Sequence, residues 1–194
     1  EENVNELEKL KKEHSEKAGR IMVIQSDANE FIQSYCDTEN WAKTRAVLFL
    51  DPFATEVEWN TIIAIAKTKS IDVWILFPLM AINRLLAKDH NKVYYNRLNE
   101  IFGTKEWFKC FYKNDILENI FGQPEEKVTK ACNFERIGEF YKDRLKNIFA
   151  AVAEKPKIFY NSRGTPLFQF YFAAGNPKGA PIAERIAESL LKDL

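Results

Sequence analysis

Glycine, histidine and cysteine are scarce in this chain, and each scarcity removes a class of function. Only seven of the 194 residues are glycine. No glycine-rich turn follows any strand-like run, which argues against a phosphate cradle of the P-loop or dinucleotide type. The two histidines, His14 and His90, stand far apart in the sequence, so a histidine-based metal centre or triad does not fit. Cys36, Cys110 and Cys132 are an odd number without CxxC spacing, the wrong pattern for a disulfide framework or a zinc site. An excess of one charge is also missing, because 28 Lys and Arg balance 28 Asp and Glu. Strong long-range steering onto nucleic acid is therefore not expected, and only a local basic groove remains open. No apolar run approaches the length of a membrane span, and no signal peptide is visible. The expectation is a globular protein of the reducing cytoplasm, long enough to bury one sizeable core.

What is present reads as alternating helices and strands. Leu7 and Leu10 sit in a charged stretch ending at Gly19, a surface helix with a glycine stop. Residues 21–24 (Ile-Met-Val-Ile) read as a strand. Asp27 and Glu30 form a capping box opening a helix that carries Phe31, Ile32 and Tyr35. The run 46–50 (Ala-Val-Leu-Phe-Leu) is apolar throughout, as expected of a parallel strand covered on both faces. Thr55 and Glu58 suggest a second capping box, before a helix with Ile62, Ile63 and Ala66 on one face. Residues 71–77 form a third buried strand, closed by Pro78. This order implies right-handed crossovers and a parallel sheet. Residues of about 80–130 read as a helical, aromatic-rich insertion over the carboxyl edge of that sheet. From Phe134 to Val152 the apolar residues keep a helical period. Residues 158–160 and 167–172 flank Asn161, Gly164 and Pro166 like an antiparallel hairpin. A last helix has Pro181 in its first turn and Ile182, Ile186 and Leu190 expected to face inward. The whole chain, 1–194, reads as a single domain.

Several segments, taken in order, carry a resemblance: Phe49-Leu50-Asp51-Pro52-Phe53, then Trp59, then Asp72 through Pro78. After them come Ile101-Phe102-Gly103-Thr104, Trp107, Phe140 through Leu145, and Ala174-Gly175-Asn176-Pro177-Lys178-Gly179. Together they resemble the three-Cys-motif partner (TcmP) proteins, a prokaryotic group related to class I S-adenosylmethionine-dependent methyltransferases. The resemblance covers nearly the whole chain from Ile21. It implies a Rossmann-like α/β fold, mainly parallel, with a C-terminal antiparallel hairpin supplying the sixth and seventh strands. The strands at 21–25, 46–50 and 71–77 would be the third, fourth and fifth. It also implies S-adenosylmethionine as cofactor and a radical-SAM-like protein with a three-cysteine motif as partner. The first strand and glycine-rich turn of such proteins have no counterpart here, and the chain opens on Glu1 without an initiator Met. The expectation is a carboxyl-terminal fragment that binds the cofactor poorly and has no methyltransferase activity alone.

The resemblance also nominates residues. Asp51-Pro52-Phe53 approximates the acid-Pro-X-aromatic segment with which nucleic-acid amino-methyltransferases grip the target nitrogen. Asp51 would accept a hydrogen bond from the substrate amine, the Pro52 carbonyl would take the other proton, and Phe53 would stack on a flipped base. Departures stand beside the match, since Phe53 and Ala54 occupy the places of a second proline and an aromatic. Without that role, Asp51 simply ends its strand and satisfies the turn before Pro52, and Phe53 is a lid or core residue. Asp27, with the Ala28 N–H, matches the place where this fold holds the cofactor's adenine. Asp27 and Glu30 equally suffice as the cap of their own helix. Lys92, Arg97, Lys105, Lys109 and Lys113 interleave with aromatics, as in a nucleic-acid groove or in a small helical subdomain with solvated lysines. Two functions stay open: methyl transfer to an amino group in nucleic acid, or an interaction subunit that kept the fold and lost the reaction.

Overall fold

Runs of branched and aromatic residues, each cut off by a polar or proline stop, set the framework. The computed structural model describes residues 2–14, 16–52, 55–86, 92–118 and 123–194. The elements begin with α1 (Glu2–Glu13), α2 (Ala28–Thr38), β1 (Ala46–Leu50), α3 (Trp59–Lys67), β2 (Ile71–Phe77) and α4 (Leu79–Leu85). Next come α5 (Tyr95–Phe102), α6 (Trp107–Phe111), β3 (Tyr112–Glu118) and β4 (Pro124–Lys130). The chain closes with α7 (Phe134–Lys146), β5 (Ala151–Val152), β6 (Lys157–Tyr160), β7 (Pro166–Ala174) and α8 (Ala180–Asp193). The main sheet has the order β1-β2-β7-β5, with β6 also paired to β7. β1 and β2 are parallel, Leu50 lying opposite Ile75, while β7 is antiparallel to β2, with Phe77 opposite Gln169. The expected terminal hairpin is formed by β6 and β7.

The fold is therefore α/β, but its sheet is mixed and mostly antiparallel rather than mainly parallel. β7 pairs antiparallel with β2, β5 and β6, and β1 with β2 is the one parallel pair among the described residues. Residues 21–25, expected as a further parallel strand, do not add to it. They are extended yet belong to no strand, and Ile21, Met22 and Ile24 are exposed. A strand needs a neighbour to take its N–H and C=O groups, and among the described residues no strand pairs with them. β1 is likewise not covered on both faces: Val47 is 72% and Phe49 57% exposed, while Leu50 is buried.

Other expectations are corrected by packing. The second half of the 80–130 segment is not helical, because β3 and β4 form a separate two-stranded antiparallel hairpin. Alternating side chains and the β-branched Ile116, Val128 and Thr129 favour that extended form. The helix beginning at Phe134 ends at Lys146 rather than continuing to Val152, which lies in β5. α8 is turned opposite to expectation. Its Ala180, Ala187 and Leu191 are buried, and Ile182, Ile186 and Leu190 are exposed. The reason is the layer beneath it, where Trp74 packs on Phe170 at 5.1 Å and on Phe172 at 4.7 Å. Over these rings the small side chains of Ala180 and Ala187 let α8 approach closely, and Leu191 packs beside them.

The main core lies between the other sheet face and α3, α4, α5 and α7, and holds Trp59, Ile62, Val73, Ile75, Phe77 and Tyr141. Phe77 stacks on Tyr141 at 4.1 Å, which fixes α7 over the carboxyl half of β2. Among the described residues no helix is long and apolar enough to cross a membrane.

Candidate functional site

Parallel pairing delivers the carboxyl ends of β1 and β2 to one rim. β1 ends at Leu50, and Asp51 emerges from it into solvent; β2 ends at Phe77 before Pro78. α2 starts on the same rim. Its N-cap is Asp27, whose Oδ1 accepts the Glu30 N–H at 3.0 Å. A cleft of about 440 Å³ is lined by Ser26, Asp27, Ala28, Asp51, Pro52 and Arg97, among others. The two aspartates, distant in sequence, thus share one depression. Ala28 belongs to the first turn of α2, where backbone N–H groups have no intrahelical acceptor.

Two polar side chains brace this cleft. Asn29 donates through Nδ2 to the Glu56 carbonyl at 2.9 Å. Its Oδ1 accepts from the Glu58 N–H at 3.0 Å and from Thr61 Oγ1 at 2.7 Å. The expected Thr55/Glu58 capping box is absent for this reason: Glu58 is the N-cap of α3 without a side-chain cap bond, and Asn29 takes its N–H instead. Arg97, from α5, donates to the Thr55 carbonyl at 2.6 Å and pairs with Glu100 at 2.9 Å. The segment leaving Asp51-Pro52 is thereby tied to α2 on one side and to α5 on the other. Asn29→Ala removes three hydrogen bonds at once and leaves a backbone N–H short of its acceptor. The expected cost is about 2–3 kcal/mol, measured by urea denaturation, with Asn29→Asp falling between the variant and the parent.

A second cleft, about 450 Å³, opens on the other side of the same ridge and is lined by Asp51, Pro52, Pro78, Met80, Arg84 and Phe168. Asp51-Pro52 therefore divides a hollow rich in carboxylates (Asp27, Glu56 and Glu58) from one with an apolar wall and a single arginine. The side chain of Asp51 and the carbonyl of Pro52 are acceptors, which suits a ligand that offers N–H donors.

Asp27, Ala28, Asp51 and Pro52 are brought together, whereas Phe53 and Ala54 lie outside the described residues. Of the basic residues interleaved with aromatics, Arg97 alone lines either of these two clefts. Phe102, Trp107 and Phe111 turn inward and are buried, and Tyr95 meets Trp107 at 5.0 Å, while Tyr94 is exposed. Lys113 pairs with Asp115 at 3.1 Å on the β3–β4 hairpin. Asn29, Arg84 and Phe168 had no signal in the sequence, since each bears on the rim only through the tertiary fold. Among the described residues no group of three or more His, Cys, Asp or Glu forms a metal site. No family model, curated protein or solved structure matches the chain.

Proposed function

We propose that this chain is a TcmP-like domain of the class I methyltransferase type, in which Asp51 and the Pro52 carbonyl orient the nucleic-acid amino group that the protein, as its gene encodes it, methylates. The observation that carries this reading is the shared cleft of Asp27 and Asp51 at the carboxyl ends of parallel strands, where open α/β sheets bind their ligands. The strand order also supports it, with the last strand, β7, antiparallel beside β2 and followed outward by β6. Methyl transfer asks for alignment more than for acid–base strength, and two acceptors on a ridge between two hollows align an amine.

S-adenosylmethionine, which would supply the methyl group, is matched at one end only. One oxygen of Asp27 holds Glu30, leaving the other for an adenine amino group, with the Ala28 N–H beside it. For the methionine end, Arg97 is already engaged by Thr55 and Glu100, and no glycine-rich turn lies on the cleft. The expected result for residues 1–194 alone is no micromolar binding in calorimetry and no methyl transfer. The test of the reading itself is transfer of labelled methyl from S-adenosylmethionine to DNA or RNA by the protein as its gene encodes it. Label on a base amino nitrogen is expected, and its absence from both polymers overturns the assignment.

One observation favours a second reading, an interaction subunit for a three-Cys-motif radical-SAM-like partner. Asp27 and Asp51 are both exposed, and a reacting centre ordinarily excludes water. Binding to that partner without methyl transfer is the expected result under this alternative.

A further inference from the structure

A hollow of about 590 Å³ lies between α7 and the β6–β7 hairpin, at the opposite edge of the sheet from β1. It shares no lining residue with either cleft at the Asp51 rim. Phe134, Pro156, Ile158 and Pro166 give it apolar walls, and Gln169 lies in its floor, opposite Ile158 in the β6–β7 register. Gln169 is only 8% exposed. Burying an amide costs free energy unless its polar groups are met, and here one end alone is met. Tyr171 Oη lies 2.7 Å from the near end of that amide and 2.8 Å from the Gly138 carbonyl. A hydroxyl has one proton, and the two ends of an amide share one shape, so the hydrogen bonds assign them. Both contacts hold when Tyr171 donates to the Gly138 carbonyl and the amide N–H donates to Tyr171. The amide oxygen is then the end that has no partner among the described residues, and it opens into the hollow. Gly138 makes the space for it, since a Cβ there would lie 1.9 Å from the Gln169 amide.

Two carboxylates stand on the α7 wall of the same hollow. Glu135 and Glu139, one turn apart, are exposed, and neither is in an ion pair among the described residues. Glu135 lies in the first turn of α7, where the helix dipole favours an acid. Glu139 has no such compensation, and like charges four residues apart cost a helix about 0.2–0.5 kcal/mol. Of the two lysines on the hollow, Lys142 is taken by Glu154 at 3.0 Å, and Lys155 follows Glu154 in the chain. The acids and the amide oxygen thus form a set of acceptors without donors, beside apolar walls. We propose that this hollow binds a guanidinium group carried on an apolar stem. Gln169, Glu135 and Glu139 take the head, and Phe134, Pro156 and Ile158 take the stem. A guanidinium fits better than an ammonium because its planar fork reaches several acceptors at once, is weakly hydrated and packs flat on rings. An arginine side chain of a partner protein and a free small guanidinium carry the same chemistry. The site depends on neither reading of the Asp51 rim.

The test is titration of the chain with butylguanidinium, followed through the amide resonances of Gly138 and of the Gln169 side chain. Both are expected to shift and to saturate. Butylurea, which has the same shape without the charge, is expected to bind at least roughly tenfold more weakly. The same loss is expected for butylguanidinium on the double variant Glu135→Gln, Glu139→Gln. Gln169→Met keeps the floor filled and removes the acceptor, with a loss of similar size. Should that variant fold poorly, Glu139→Lys on the surface is expected to abolish binding with melting unchanged. A blocked arginine tripeptide that binds more tightly than butylguanidinium assigns the site to an arginine of a partner protein, and one that binds more weakly assigns it to a free small guanidinium. Absence of shifts at both residues overturns the proposal. Butylurea binding as tightly as the cation overturns it too, as does a double variant that binds unchanged.

Discussion

Gly103→Ala is expected to destabilise the protein by about 2–5 kcal/mol, read as a lower urea midpoint. Gly103 caps α5 in the left-handed region, with φ 62°, where an added Cβ costs about 1–2 kcal/mol. That Cβ would also lie 1.9 Å from Cδ1 of Trp59, and overpacking a filled core adds about 1–3 kcal/mol. Trp59 has nowhere to go. It is buried, its ring meets Tyr141 edge-on at 5.7 Å, and the Arg144 guanidinium lies 4.7 Å over its face. Arg144 in turn donates to the Phe102 and Gly103 carbonyls at 3.1 and 3.3 Å. One methyl group therefore disturbs a knot that joins α3, α5 and α7. Gly164→Ala is the control, since Gly164 has φ 73° with nothing within 4 Å of the added Cβ. It is expected to cost only the conformational part, about 1–2 kcal/mol. Equal losses at the two positions would show that Trp59 yields freely. Because α5 also carries Arg97, loosening it is expected to free the Thr55 carbonyl and with it the segment beyond Asp51.

Where the sequence was legible, one residue's chemistry decided the local form. Asp27 caps α2 as its spacing to Glu30 requires, β1 and β2 follow their apolar runs, and the turn at Asn161 and Gly164 closes the β6–β7 hairpin. Legibility failed where a partner decided. Residues 21–24 have the composition of a strand, but pairing needs a neighbour that no local pattern reveals. Ile182, Ile186 and Leu190 form a periodic apolar stripe, yet over the layer of Trp74, Phe170 and Phe172 it is Ala180, Ala187 and Leu191 of α8 that pack. Thr55 and Glu58 spell a capping box, but Asn29, distant in sequence, outcompetes it with geometry fixed by α2 packing on α3. The rim followed the same division. Asp51 was readable as a carboxylate ending an apolar strand, whereas the braces Asn29 and Arg97 act on it only across the fold.

Asp51→Ala separates the two proposed functions. The carboxylate is exposed and none of its described neighbours depends on it for a hydrogen bond, so the stability change should stay within about 0.5 kcal/mol. Its expected effect on methyl transfer by the protein as its gene encodes it is far larger. An amine held by the Pro52 carbonyl alone keeps one of its two acceptors and gains freedom to rotate away from the methyl donor. Misplacement on the order of 1 Å costs about 100-fold in rate. Loss of that size in turnover, with melting unchanged, is what the amine-orienting role predicts. Asp51→Asn keeps an acceptor oxygen but adds an N–H₂ donor on the same ridge, and should recover activity only in part. If Asp51→Ala instead leaves methyl transfer intact, the ridge is not where the amine sits. If no transfer exists to lose and binding to a three-Cys-motif partner is unaffected by the change, the fold serves as an interaction subunit, and Asp51 does no more than end its strand.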